Sequence, residues 1–160
     1  MVSSDEFLVK TASSSASLDS MLSEIAKINR DKRFVVQVFD PKRIINRAHV
    51  FGAYIDSVES FKEKTNITKS RSLEMLLFVA MTNQISDAIK TAGAKTSKEF
   101  VLFANSREAF NGVKHLLKST KDFSRNKKEQ QPIASKFGIY AKEDLDKFIL
   151  QKMAVSRLSD

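Results

Sequence analysis

Between Leu73 and Met81 the chain reads L-E-M-L-L-F-V-A-M, with Glu74 as the single polar residue. A surface helix needs a polar face for water, so a stretch this apolar forms a helix only where other elements enclose it. The rest of the chain must therefore supply a shell. With 160 residues, 42% hydrophobic and 29% charged, it has enough apolar surface for one core. A domain of about 150 residues buries about 70% of its unfolded surface, so residues 1–160 are expected to form a single domain.

The shell can be traced from both sides. Phe7, Val9 and Thr11 alternate with more varied neighbours and predict a strand over 6–11, followed by the serine-rich turn Ser13 to Ser17. Leu18, Met21, Leu22, Ile25 and Ile28 predict a helix over 18–29 behind a serine cap. Phe34 to Phe39 is a β-branched and aromatic strand, which Asp40 and Pro41 end. A long helix is expected to begin there, with Ile44, Ala48, Phe51, Ile55, Val58 and Phe61 as its inward stripe.

Beyond the apolar run, Thr82 or Asn83 is expected to cap a short helix through Ala92, and Gly93 suits a left-handed end. Phe100 to Ala104 predicts another strand. Asn105 with Glu108 resembles a capping box opening a helix to about 119, with Phe110, Val113 and Leu117 inward. Ser119 to Gln131 reads as a flexible basic loop, Pro132 to Gly138 as a helical turn, and 143–158 as a last amphipathic helix. The sum is an α+β fold: a small three- to four-stranded, mostly antiparallel sheet packed with about seven helices.

Much chemistry is excluded by inventory. Cys is absent, and the two His, His49 and His115, lack the spacing of a zinc helix. Four Gly in scattered positions write neither a phosphate loop nor a dinucleotide fingerprint. No cofactor or metal is expected. No apolar run is long enough to span a bilayer and residues 1–10 lack a secretory pattern, so the cytoplasm, without a membrane partner, is the expected location. Lys and Arg outnumber Asp and Glu by 27 to 19, a formal charge of +8, which favours a polyanionic partner. Glu74 has two readings: an acceptor near the helix start paired with Lys69 or Arg71, or a general base with a raised pKa.

The order Asn66, Ile67, Lys69, then Leu73, Glu74, Leu76, Leu77, then Gln84, Ile85, Ala88, Ile89 and Gly93 resembles the PRPK-binding protein family, the small kinase-binding subunit of the KEOPS complex. Asp40, Pro41, Ile44 and His49 upstream, and Phe137, Gly138, Ile139, Leu145, Met153 and Ala154 downstream, extend the likeness. Two positions depart from it: Met81 stands where the family usually has Gly, and Asn83 where it usually has Arg.

The resemblance implies a non-catalytic regulatory subunit. It would bind the kinase-like ATPase of KEOPS, meet the other subunits indirectly, and support threonylcarbamoylation of adenosine in tRNA. It also implies a grip on the 3′ end of tRNA through Lys69, Arg71, Asn83, Gln84 and Ile85. The apolar ridge Leu145, Phe148, Ile149 and Met153 is the candidate kinase dock, with packing inside the domain as the competing use. A free-standing basic RNA- or DNA-binding module, and a small enzyme built on Glu74, are the rival readings.

Overall fold

A computed structural model describes residues 7–158. Among these, an antiparallel sheet of four strands, β1 (Leu8–Ser14), β2 (Val36–Phe39), β3 (Phe100–Ala104) and β4 (Leu117–Asp122), accompanies seven α-helices. The helices are α1 (Leu18–Ile28), α2 (Arg47–Lys62), α3 (Arg71–Ala80), α4 (Ile85–Ala92), α5 (Arg107–Val113), α6 (Lys127–Ser135) and α7 (Leu145–Ser156). The fold is α+β, as the sequence predicts. The described residues divide into two compact units: residues 7–41 with 94–123, and residues 42–93 with 124–158.

The first unit holds the sheet, in the order β2-β3-β1-β4. Leu8, Ala12, Val36, Val38, Phe100, Leu102 and Ala104 present one face to Met21 and Ile25 of α1 and to Ala109, Phe110 and Val113 of α5. Strand β1 starts within the predicted segment, whose residue 6 lies outside the described residues, and runs on through Ser14. The expected serine turn shortens to residues 15–17 because Ser13 and Ser14 find partners in and just before β4: Ser13 Oγ meets Ser119 Oγ at 2.6 Å, and Ser14 Oγ donates to the Leu116 carbonyl.

Three expectations fail here for identifiable reasons. Residues 117–122 form a strand instead of the end of a helix and the start of a loop, with almost every side chain exposed, so no hydrophobic period marks them. Helix α5 stops at Val113 and is capped by Ser106, which accepts from Ala109 N at 3.0 Å. Asn105 does other work. Its Oδ1 accepts from Val35 N at 2.9 Å and its Nδ2 donates to the Arg33 carbonyl, joining the segment after β3 to the one before β2.

In the second unit α3 is the buried centre, packed by α2, α4 and α7, with Met75, Leu77 and Val79 wholly enclosed. Pro41–Arg43 make one 3₁₀ turn, and α2 begins at Arg47 behind Asn46, whose side chain accepts from His49 N. The stripe Phe51, Ile55, Val58 and Phe61 is only half-buried. The buried residues of α2 are instead His49, Val50, Gly52, Ala53, Tyr54, Ser57 and Ser60. Small side chains are among them because neighbouring helices approach closely: a Cβ on Gly52 would lie 2.3 Å from Leu150 Cδ2 of α7.

Residues 127–135 form a helix whose first five residues lie where a loop is expected and whose last four fall within the helical turn predicted for Pro132 to Gly138. Asn126 and Glu129 close a full capping box, each side chain accepting from the other's backbone N–H.

Candidate functional site

Helix α2 hands over to α3 through residues 63–70, and Glu74 organises that loop from below. Its carboxylate is fully buried and accepts from Ile67 N (3.1 Å), Thr68 N (3.0 Å) and Arg157 Nη1 (2.5 Å), while the Thr68 and Ser60 hydroxyls, at 3.2 and 3.0 Å, each share their one proton between it and a nearer carbonyl, that of Ser70 and of Ser57. The ion-pair partner is therefore Arg157 at the end of α7, and neither Lys69 nor Arg71. Burying a carboxylate demands this degree of satisfaction. Held by these groups, Glu74 reads as an architectural acceptor.

Arg157 reaches further. Its Nη1 also donates to the Thr65 carbonyl at 3.1 Å, and its guanidinium carbon lies 4.2 Å from the centre of the Phe78 ring. Nearby Asp56, on α2, is pushed up to about 6 by burial, with Arg157 opposing and Glu59 adding to the shift. His49 is wholly buried; its Nδ1 accepts from Ile45 N and its Nε2–H therefore donates to the Val79 carbonyl. Burial pushes its pKa down to about 4.

The residues singled out for tRNA fall in two groups. Lys69 and Arg71 stand exposed at the start of α3, with Arg71 6.0 Å over the ring of Phe61. Asn83, Gln84 and Ile85 lie beyond the other end of α3. Ten residues of helix measure about 15 Å, so α3 holds the two groups apart and does not bring them together. The N-cap of α4 is Gln84, without a side-chain cap bond, instead of Thr82 or Asn83; Thr82 Oγ1 accepts from Gln84 N. Ile85 and Ile89 extend an exposed apolar ridge along α4, with 52% of Ile89 open.

Gly93 is extended, with φ −66°, so the left-handed end predicted for it is absent. That conformation occurs at Met81, φ 57°, which closes α3. Here the departure from the family pattern acquires a cause. A left-handed C-cap favours Gly because it has no Cβ, and Met takes the same backbone at a cost.

The ridge on α7 splits between two surroundings. Ile149 and Met153 are completely buried in the second unit and Leu145 is half-buried, whereas Phe148 is 45% exposed and Val155 58%. Phe148 and Val155 face a groove of about 660 Å³, shared with Met81, Ile139, Tyr140 and Lys152. Tyr140, 73% exposed, escapes a sequence search because it sits in an irregular segment after Gly138, itself left-handed at φ 77°. Residues 42–93 and 124–160 also carry most of the excess charge, 16 Lys and Arg against 10 Asp and Glu.

Among the described residues no group of three or more His, Asp or Glu is placed to hold a metal ion, and no helix is long and apolar enough to cross a membrane. No curated protein matches the chain. A family model does: that of kinase binding protein CGI-121 matches residues 10–157, from β1 to the arginine that closes on Glu74. An α+β chain with its inner helix flank fully covered and an apolar outer flank left open thus belongs to the CGI-121 kinase-binding protein family.

Proposed function

We propose that this chain is the small, non-catalytic subunit of a cytoplasmic KEOPS complex, which docks the kinase-like ATPase and holds the 3′ end of tRNA during threonylcarbamoylation of adenosine. The observation that carries the kinase reading is the family match together with the exposed flank of α7. A domain has no internal use for Phe148 and Val155 in the open beside Tyr140, and a partner's apolar side chain in the groove would remove all three from water. Leu145 flanks that contact, while Ile149 and Met153 hold α7 on its own unit and act only through its position.

Support for the tRNA reading is the excess of cations on the second unit and the exposed Lys69, Arg71, Gln84 and Ile85 around α3. Two groups about 15 Å apart suit a single strand of several nucleotides better than one phosphate, with cations against the backbone and apolar groups against bases.

The readings separate under two substitutions. Phe148→Glu leaves the core intact and removes a central apolar contact, so capture of the KEOPS kinase in high salt falls at least about 30-fold, the effect of a 2 kcal/mol hot spot. Undiminished capture rejects α7 as the dock. Lys69→Glu weakens tRNA binding and flattens its salt dependence while leaving kinase capture alone; unchanged affinity moves the RNA site elsewhere.

A further inference from the structure

Lys69 follows immediately on two residues whose backbone N–H groups are both held by one buried carboxylate. Ile67 N and Thr68 N point inward to Glu74 Oε1, and the single proton of Thr68 Oγ1 is shared between the Ser70 carbonyl at 2.8 Å and Glu74 Oε1 at 3.2 Å. Asn66 Nδ2 bridges to the Thr68 carbonyl at 2.8 Å. The left-handed turn at Lys64, φ 61°, brings Thr65 back so that its N donates to the Ser60 carbonyl at 2.8 Å. The loop has no apolar anchor of its own: Ile67 is 44% exposed. Its conformation rests on hydrogen bonds, and most of them converge on Glu74 and Arg157.

A solvent-exposed lysine is flexible, and a phosphate contact made from a flexible loop loses affinity to the ordering it requires. A clamp that orders the loop beforehand lowers that cost. Resting on the RNA-binding reading above, we infer that Glu74 is a positioning residue: with Arg157 it locks residues 65–68 so that Lys69 is presented to the nucleic acid in one geometry.

The test is a double-substitution cycle with exchange measurements on the whole chain. In Glu74→Gln the charge that attracts both amides and Arg157 is gone, so the Ile67 and Thr68 amides exchange with solvent at least tenfold faster, and tRNA affinity drops about five- to tenfold. In a Lys69→Ala background the same change at position 74 produces no further loss, because the two act through one contact. Arg157→Ala, at the edge of the unit and 16% exposed, serves if Glu74→Gln fails to fold; it loosens the same loop, and Arg157→Lys recovers much of the affinity by restoring one cationic donor. Losses at 74 and 69 that add independently, or faster exchange with full tRNA affinity, overturn the inference. If Lys69→Ala alone leaves tRNA binding untouched, the RNA reading itself falls and takes the positioning role with it, whereas unchanged exchange in Glu74→Gln refutes the clamp while leaving that reading standing.

Discussion

Between pH 7 and pH 4.5 two groups of the second unit pull its stability in opposite directions, and removing one of them exposes the other. His49 is neutral in the fold, with its pKa pushed from an ordinary 6.5 down to about 4, so the unfolded chain takes up a proton first as the solution is acidified. The stability His49 contributes is complete above pH 6.5 and drains away as pH falls toward 4. A shift of that size amounts to roughly 3 kcal/mol over the full range, most of it gone by pH 4.5. Asp56 has the reverse sign. Its pKa rises from 3.8 to about 6, so the folded chain binds the proton first, and its contribution is present below 3.8 and lost as pH climbs through 6. Because Asp56 is only half-buried, solvent screening reduces that contribution to about 1 kcal/mol.

The perturbation is Asp56→Asn. At pH 7 the variant is more stable than the parent by about 1 kcal/mol, since a desolvated carboxylate has been neutralised; at pH 4.5 the gap narrows to roughly a third of that, and it closes only below 3.8, where the unfolded chain's carboxyl is protonated too. Urea unfolding followed across this range measures the difference directly, and changes common to both chains cancel in it. NMR titration of the His49 ring in the folded protein supplies the second number. A stability difference that stays flat from pH 4.5 to 7, or a His49 that titrates near 6.5, refutes the desolvation account of this unit.

Two further substitutions test the local reading. Met81→Gly relieves a left-handed residue and raises stability by about 0.5–1 kcal/mol, or a Tm higher by about 2–4 °C in calorimetry, after allowance for the greater freedom of Gly in the unfolded chain; a lower Tm would mean that the Met81 side chain in the groove matters more than its backbone. Asn105→Ala strands the Val35 N–H and costs about 2 kcal/mol in denaturant unfolding, against about 1 kcal/mol for Ser106→Ala, the true cap; equal costs would contradict the assignment.

Elements that bury side chains at a regular period were legible. Strand β3 is apolar from end to end, helix α3 is apolar from Leu73 onward save for Glu74, and α1 shows its period of 3.6 behind Ser17. Strand β4 was not, because L-K-S-T-K-D buries almost nothing and holds its place through backbone pairing with β1, a signal that leaves no trace in side-chain type. Helix α2 misled for the opposite reason: Phe51, Ile55, Val58 and Phe61 lie on the half-buried face, while Gly52, Ala53, Ser57 and Ser60, which carry no apolar stripe, are among the buried residues. Nor could sequence spacing find the partner of Glu74, since Arg157 is 83 residues away. What the order of residues from 66 to 93 did carry was family membership, including the oddity at Met81.

The ridge on α7 shows how one run of apolar residues serves two purposes. Successive residues turn by about 100° around a helix, which puts Leu145, Ile149 and Met153 on one stripe and Phe148, Lys152 and Val155 on the next. The first stripe is covered by the unit itself, at the place where Gly52 lets α7 settle against α2. The second lines the groove, and it has a cation at its centre. A purely apolar partner would strand the Lys152 ammonium on docking, a desolvation cost with no return. The surface that fits this groove therefore brings an apolar or aromatic group to Phe148 and Val155 and a carboxylate within reach of Lys152. In the kinase dock proposed above, the first requirement would give an interface that survives salt, and the second would select its orientation.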